Sequence, residues 1–166
     1  MLGLIKKFQG LQNNMATNKL NIAIGCDHAG FELKENLIEL ASLNKAELSF
    51  KDLGCFSEES VDYPDFGHKV ALEVSNKMVD YGIIICGSGI GISIAANKIN
   101  GIRAALCTSV EHAKLSRLHN DANVLALGAR LTDEDEIYNI VEAFLNTDFE
   151  GGRHGNRINK IEYYKR

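Results

Sequence analysis

No apolar run in the 166 residues approaches the ~18–20 that a membrane-crossing helix needs, so no membrane span is expected. None of Cys26, Cys55, Cys86 and Cys107 stands in a C-x-x-C pair, which argues against a zinc ribbon and a redox dithiol. His28, His68, His112, His119 and His154 show neither H-x-H nor H-E-x-x-H spacing, so no metal site local in sequence is indicated. A formal charge of −4 and a pI near 5.7 leave no basis for a broad nucleic-acid surface, though a small basic cluster remains compatible. Proline occurs once, at Pro64, and neither an internal repeat nor a low-complexity stretch interrupts the chain. What is present is a 45% hydrophobic, 24% charged chain of one-domain length, which buries roughly two-thirds of its unfolded surface. Such a chain is expected to be cytosolic, with its thiols reduced.

Met1–Lys19 contains no acidic residue and differs in character from the rest of the chain. We expect residues 1–19 to be an N-terminal extension and residues 20–166 a single domain. Translation starting at Met15 and a transit peptide are the alternatives. From Leu20 onward, apolar runs alternate with helically spaced apolar residues. Strands are expected at Leu20–Gly25, Leu48–Leu53, Gly82–Cys86, Ile102–Cys107 and Val124–Leu127. Helices are expected at Phe31–Leu43, from Pro64 with Phe66, Val70, Ala71, Val74 and Met78 on one face, after Gly91 to Lys98, and over Ser109–His119 with Ser109 as N-cap. A further helix is capped by Thr132 or Asp133 and buries Ile137, Ile140, Val141, Phe144 and Leu145. Five alternations predict an α/β, Rossmann-like three-layer sandwich around a five-stranded parallel sheet. Ligands of such sheets bind at the carboxyl ends of the strands, where the segments after the first, third, fourth and fifth strands are expected to converge.

Four segments carry residues suited to chemistry. After the first strand, Asp27 and His28 stand at a helix N-terminus, where they can meet sugar hydroxyls or an anion; equally, Asp27 can simply cap the helix. After the third strand, Gly87-Ser88-Gly89-Ile90-Gly91 offers backbone N–H groups to an oxyanion. Cys86 ends that strand in a positive field that draws a thiol toward the thiolate, a base or nucleophile; the other reading is one more core thiol. A dinucleotide site is a weak reading of the glycines, because they follow the third strand and the next strand ends without an acid for a ribose hydroxyl. His119 and Asn120 end a helix, where the imidazole can move protons or simply answer the helix dipole. Arg130 follows the fifth strand, and Arg153 and Arg157 stand four apart in the basic tail. Converging guanidiniums favour a phosphate, whereas a solvated tail needs no ligand.

The segments IAIGCDHAGFELKE (22–35), DYPDF (62–66), IICGSGIGISIAANKINGIRAA (84–105), LSRLHNDANVLALGAR (115–130) and FEGGRHGNRI (149–158) together resemble type B ribose-5-phosphate isomerases, in the family that also contains galactose-6-phosphate and allose-6-phosphate isomerases. The resemblance covers Lys19 to Ile158. It implies Cys86 as the thiolate that shuttles a proton between carbons 1 and 2, and His119 as the acid of ring opening. It implies Asp27 and His28 at the sugar, with Asp27 or a water taking the anomeric proton, and Tyr63 against the ring. The loop Gly87, Ser88, Gly89, Ile90, Gly91 would hold the enediolate, Asn120 a sugar hydroxyl, and Arg130, Arg153 and Arg157 the phosphate. Some branches carry a Glu base just after the glycine-rich loop; Ile92 stands there in this chain, which leaves the role to Cys86. The hydrogen moves as a proton between carbons of one oxidation level, so neither metal nor other cofactor is expected. The resemblance further implies a phosphorylated sugar as substrate and a homodimer or homotetramer with its site at a subunit interface. Ribose 5-phosphate is the expected substrate. Allose 6-phosphate or galactose 6-phosphate, or a non-catalytic sugar-phosphate sensor, are the alternatives.

Overall fold

The computed structural model describes residues 19–43 and 48–163. The expected extension 1–19 therefore lies, but for Lys19, outside the described residues. Among those residues the strands are β1 (Leu20–Cys26), β2 (Leu48–Asp52), β3 (Tyr81–Cys86), β4 (Ala104–Leu106) and β5 (Val124–Gly128). The helices are α1 (Phe31–Leu43), α2 (Tyr63–Ser75), α3 (Ile90–Ala96), α4 (Val110–Asn120), α5 (Glu134–Leu145) and α6 (Arg153–Tyr163). A 3-10 turn, His28–Gly30, joins β1 to α1. All strand pairings are parallel, in the order β2-β1-β3-β5-β4. The α/β sandwich expected from the alternation is the observed architecture.

The side-chain period of a strand is two, and each central strand divides its residues between two helical layers accordingly. Ile22, Ile24, Ile83, Ile85, Leu125 and Leu127 face one core, which also holds Leu33 and Leu37 of α1, Ala113 of α4 and Ile137, Val141 and Phe144 of α5. Ala23, Ile84, Cys86, Val124 and Ala126 face the other, against Val70, Ala71 and Val74 of α2 and Ile92 and Ala96 of α3. Both faces are covered, which is why the strands read as continuous apolar runs. Pro64 lies in the first turn of α2 and Ser109 caps α4, its Oγ accepting from the His112 N–H. Met78 departs from the expected α2 face. The helix stops at Ser75, and Met78 is 67% exposed in the turn beyond it. β4 is shorter than expected because Ile102 and Arg103 lead into it as irregular chain.

One buried charge ties α1 to β2. The Lys34 side chain is fully buried, its Nζ 2.6 Å from both Asp52 Oδ2 and Glu35 Oε1, with the rings of Phe31 and Phe56 at 5.5 and 5.4 Å. Burial disfavours the ammonium, but the two carboxylates outweigh it and the pKa lies above the ordinary lysine value. The stabilisation is therefore complete below the unfolded pKa near 10.5 and is lost as pH rises through the folded value. Lys34→Ala strands Asp52 and removes the stem packed between the two rings, so a loss of about 2–4 kcal/mol is expected in urea denaturation. Lys34→Met, which keeps the stem, should lose roughly half as much; equal losses would mean the packing contributes nothing.

Candidate active site

In the order β2-β1-β3-β5-β4, the chain leaves β1 toward one edge of the sheet and leaves β3 toward the other. The crevice between the carboxyl ends of β1 and β3 is thus the place where a parallel sheet opens to a ligand. A cavity of about 360 Å³ lies there, lined by Asp27, Tyr63, Cys86, Gly87, Ser88, Gly91, Arg130 and Leu131.

Each lining group is held by local backbone geometry. Asp27 is 7% exposed, and its Oδ1 accepts the Ala29 N–H at 2.9 Å, so this carboxylate does cap the turn, with one oxygen. Cys86 ends β3, and its Sγ accepts the Gly89 N–H at 3.1 Å. Gly89 has φ +74, and a Cβ there would lie 2.5 Å from the Leu106 side chain and 2.9 Å from the Leu127 carbonyl carbon, so only glycine turns that donor onto the sulfur. Ser88 Oγ accepts the Ile90 N–H at 3.3 Å. The β3–β5 register continues past both strands: Ala129 N–H donates to Cys86 O at 2.9 Å and Arg130 N–H to Gly87 O at 3.0 Å. That pairing places the Arg130 stem beside Gly87. The Tyr63 ring, at the first turn of α2, lies against Gly91.

The other three cysteines are core thiols. Cys26 and Cys55 are buried with their sulfurs 3.7 Å apart, and burial followed by the charge of Cys55 raises the Cys26 pKa. Cys107 is pushed up to about 11 by burial. Cys86 is the cysteine of the cavity wall.

Several expected residues stand outside this cavity. His28 accepts the Val61 N–H on Nδ1 at 3.3 Å, which leaves Nε2 as its donor; the ring holds the 53–62 segment and does not line the cavity. The amides of Gly89 and Ile90 are taken up by Cys86 and Ser88, so Gly87, Ser88 and Gly91 are the part of the loop that borders the cavity. The Ile90 side chain is half-exposed. His119, Asn120, Arg153 and Arg157 lie at the opposite end of the sheet. A helix leaving a strand in a parallel sheet runs back along it, so the end of α4 meets the beginning of its neighbours. Arg117 donates to Tyr81 Oη at 3.1 Å, and Arg103 Nε donates to Asn120 O at 2.9 Å, where Tyr81 opens β3 and Arg103 precedes β4. Tyr81 and Cys86 are five steps apart, about 17 Å at ~3.3 Å per residue. Of the segments expected to converge, those after β1, β3 and β5 line the cavity and the one after β4 does not. The α4 residues do not join it within one chain.

This second cluster is itself organised. His119 and His154 stack with centroids 4.3 Å apart and planes 3° from parallel. Glu150 Oε2 lies 3.7 Å from His119 Nε2 and 3.8 Å from His154 Nε2. Desolvation, reinforced by His119, Arg153 and Arg157 and opposed by Glu150, holds the His154 pKa below the ordinary histidine value. Buried Arg117 fixes the end of α4 through Asp121 Oδ1 and Ala122 O, both at 2.7 Å. Arg103 bonds Glu162 at 2.8 Å and so fastens α6, where Arg153 and Arg157 share the exposed side of the first turns. Sequence reasoning missed His154, Glu150, Leu131 and the two fastening arginines. The i,i+4 spacing of Glu150 with His154 and of Arg117 with Asp121 was the available signal.

Gly128 was also missed. A Cβ on it would stand 2.7 Å from Ser88 O and 2.8 Å from Ser88 C, a collision of backbone with backbone. Gly128→Ala must therefore push the 87–91 loop away from β5. A displacement of ~1 Å at reacting groups can cost on the order of 10²-fold in rate, and a fall in kcat/KM of that order is expected together with a lower Tm. Wild-type kinetics in this variant would show that the loop's seat is not critical.

The chain matches the Ribose/Galactose Isomerase family over residues 22–161. It is 49% identical over 140 residues to ribose-5-phosphate isomerase B of Escherichia coli, covering 84% of this chain and 93% of that protein. Among solved structures, ribose-5-phosphate isomerase B of Clostridium thermocellum superposes with a TM-score of 0.82 at 50% identity, covering 86% of this chain and 95% of that one. Ribose-5-phosphate isomerase B of Mycoplasma genitalium, solved with bound ribulose 5-phosphate, superposes with a TM-score of 0.82 at 43% identity, over 89% of this chain and 97% of that one.

Proposed function

Since the chain belongs to the Ribose/Galactose Isomerase family, we propose that it interconverts ribose 5-phosphate and ribulose 5-phosphate, with Cys86 as the base. The observation that carries this reading is the placement of Cys86 Sγ in the cavity wall, under the Gly89 N–H and in company with Asp27, Tyr63 and Arg130. The sulfur of a thiolate at this position keeps the Gly89 donor. It removes the proton from carbon 2 of the opened aldose and returns it to carbon 1. The cis-enediolate oxygen lies toward the Gly87, Ser88 and Gly91 part of the loop. Asp27 receives the anomeric hydroxyl proton, directly or through water, and Tyr63 packs on the sugar. Carbon 2 gives up a proton as carbon 1 gains one, the O2 hydroxyl proton passes to O1 across the enediolate, and the proton on sulfur exchanges with solvent, so the oxidation level of the sugar is unchanged and no redox partner takes part.

The acid of ring opening, His119, and the guanidiniums of Arg153 and Arg157 come from a second copy of the chain. One cavity then holds Asp27, Cys86 and Arg130 of one copy and His119, Asn120, Arg153 and Arg157 of the other. Two features support the pairing. The two clusters are about a sheet's length apart within a chain, by the ~3.3 Å rise per residue. Ile90 and Ile94 of α3 and Leu131 at the cavity mouth are 52%, 54% and 70% exposed, an apolar rim that a second copy can cover. Three guanidiniums on a non-reacting phosphate orient the reacting carbons.

The reading is tested by ketose formation from ribose 5-phosphate, with kcat/KM compared against allose 6-phosphate and galactose 6-phosphate, in deuterated solvent. Turnover favouring the five-carbon sugar, with deuterium entering it, is expected. Preference for a six-carbon sugar would replace the substrate, and binding with neither turnover nor exchange would make the protein a sensor.

A further inference from the structure

We propose that His119, Glu150 and His154 form a binding site for a late first-row divalent cation, zinc foremost, and that filling it withdraws His119 from the sugar. Two imidazoles and one carboxylate are the donor set of open tetrahedral zinc sites, with the fourth position left to water. The three donor atoms lie within 4.8 Å of one another, and Glu150 Oε2 already stands between the two Nε2 atoms at 3.7 and 3.8 Å. Metal–donor bonds of ~2.0–2.2 Å put tetrahedral donors about 3.4 Å apart, and since the two rings stack 3° from parallel, His119 must also turn until both lone pairs meet at one ion. These movements fall on mobile groups. Glu150 is 56% and His119 37% exposed at the side chain, whereas buried His154 is the fixed member.

The surroundings of His154 suit the role. Arg153 Nε lies 3.5 Å from His154 Nε2, as a donor facing the lone pair that a metal would take. A cation entering displaces the exposed Arg153 stem, and Arg153 and Arg157 repel it, which limits the affinity. Asp121, at the C-terminal cap of α4, stays out of the donor set because Arg103 and Arg117 hold it. No local motif announces the site, because His119 comes from α4 and the other two donors flank the start of α6.

The metal half of the inference stands on the geometry alone; the inhibitory half rests on the isomerase reading. Calorimetric titration of the whole, metal-stripped protein with zinc chloride is expected to show one ion per chain. Glu150→Gln should weaken binding by roughly tenfold or more, since a ligand is lost where even an outer-sphere loss costs 10–100-fold. His154→Ala should remove it. Cobalt(II) substituted for zinc should give a tetrahedral spectrum without sulfur-to-metal charge transfer. Absence of binding, equal binding by the Glu150→Gln, His154→Ala double variant, or a thiolate band that places the ion on a cysteine each overturns the site. Isomerisation of ribose 5-phosphate should fall with zinc and return with a chelator, and Glu150→Gln, measured against its own metal-free rate, should need roughly tenfold or more zinc for the same inhibition. Bound zinc without inhibition would overturn the inhibitory half. A metal-free enzyme inert toward ribose 5-phosphate would instead defeat the isomerase reading and leave the ion site standing.

Discussion

Replacing Cys86 by serine is expected to lower kcat for ribose 5-phosphate by ~10²–10⁴-fold, the range that a positioned general base contributes. KM should change little, because the sulfur meets a carbon-bound proton and the phosphate anchors elsewhere. The serine hydroxyl fits the same space and can accept the Gly89 N–H that Sγ accepts at 3.1 Å, so the loop should keep its shape. Tm therefore serves as the control: a collapse in rate at near-native Tm reports lost chemistry. Cys86→Ala should behave alike in rate, with a small loss of packing at a residue only 4% exposed. Near-normal turnover in either variant would remove Cys86 from the role of base. Measurement of both kcat and Tm is decisive because Asp27, the other buried acid–base group of the cavity, is already engaged through Oδ1 with the Ala29 N–H.

The second large effect is a recovery. Cys86→Ser and His119→Ala should each be nearly inactive as pure proteins. Co-expressed and assayed together without separation of the dimers, they should regain about a quarter of wild-type activity. Random association makes half of the dimers mixed, and each mixed dimer has one of its two composite sites intact. A site confined to one chain would recover nothing. The outcome thus reads directly whether the α4–α6 cluster serves a cavity on another copy.

The strands and helices were legible because the sheet is buried on both faces. Tyr81–Cys86 (YGIIIC) and Val124–Gly128 (VLALG) are apolar without alternation, and such runs have one stable home in a parallel sheet. Ser109 and Pro64 marked helix starts through their own local chemistry. The cavity around Cys86 was legible for the same local reason: a strand ending in a cysteine and then glycines has a defined direction. The α4–α6 cluster was visible as residues and not as a place. His119 sits one residue from the end of α4, and a full helix carries it back along the sheet, away from the strand end at which α4 starts. Proximity between His119, Glu150 and His154 is a tertiary fact, since 31 residues separate the first two in sequence. Gly128 escaped notice because its importance lies in what faces it, the Ser88 carbonyl, and a sequence displays only neighbours along the chain. Met78 misled because helical spacing carries on past Ser75 although the backbone turns away there.

The bonds from Ala129 to the Cys86 carbonyl and from Arg130 to the Gly87 carbonyl make one girder of two loops. Sulfur and guanidinium stem ride on that girder together, so thermal motion that displaces one carries the other. Their spacing works as a gauge set by backbone rather than by flexible side chains. On the proposed reading, a sugar pinned at its phosphate end would be measured against it, and chain length would decide which carbon comes to rest at the sulfur.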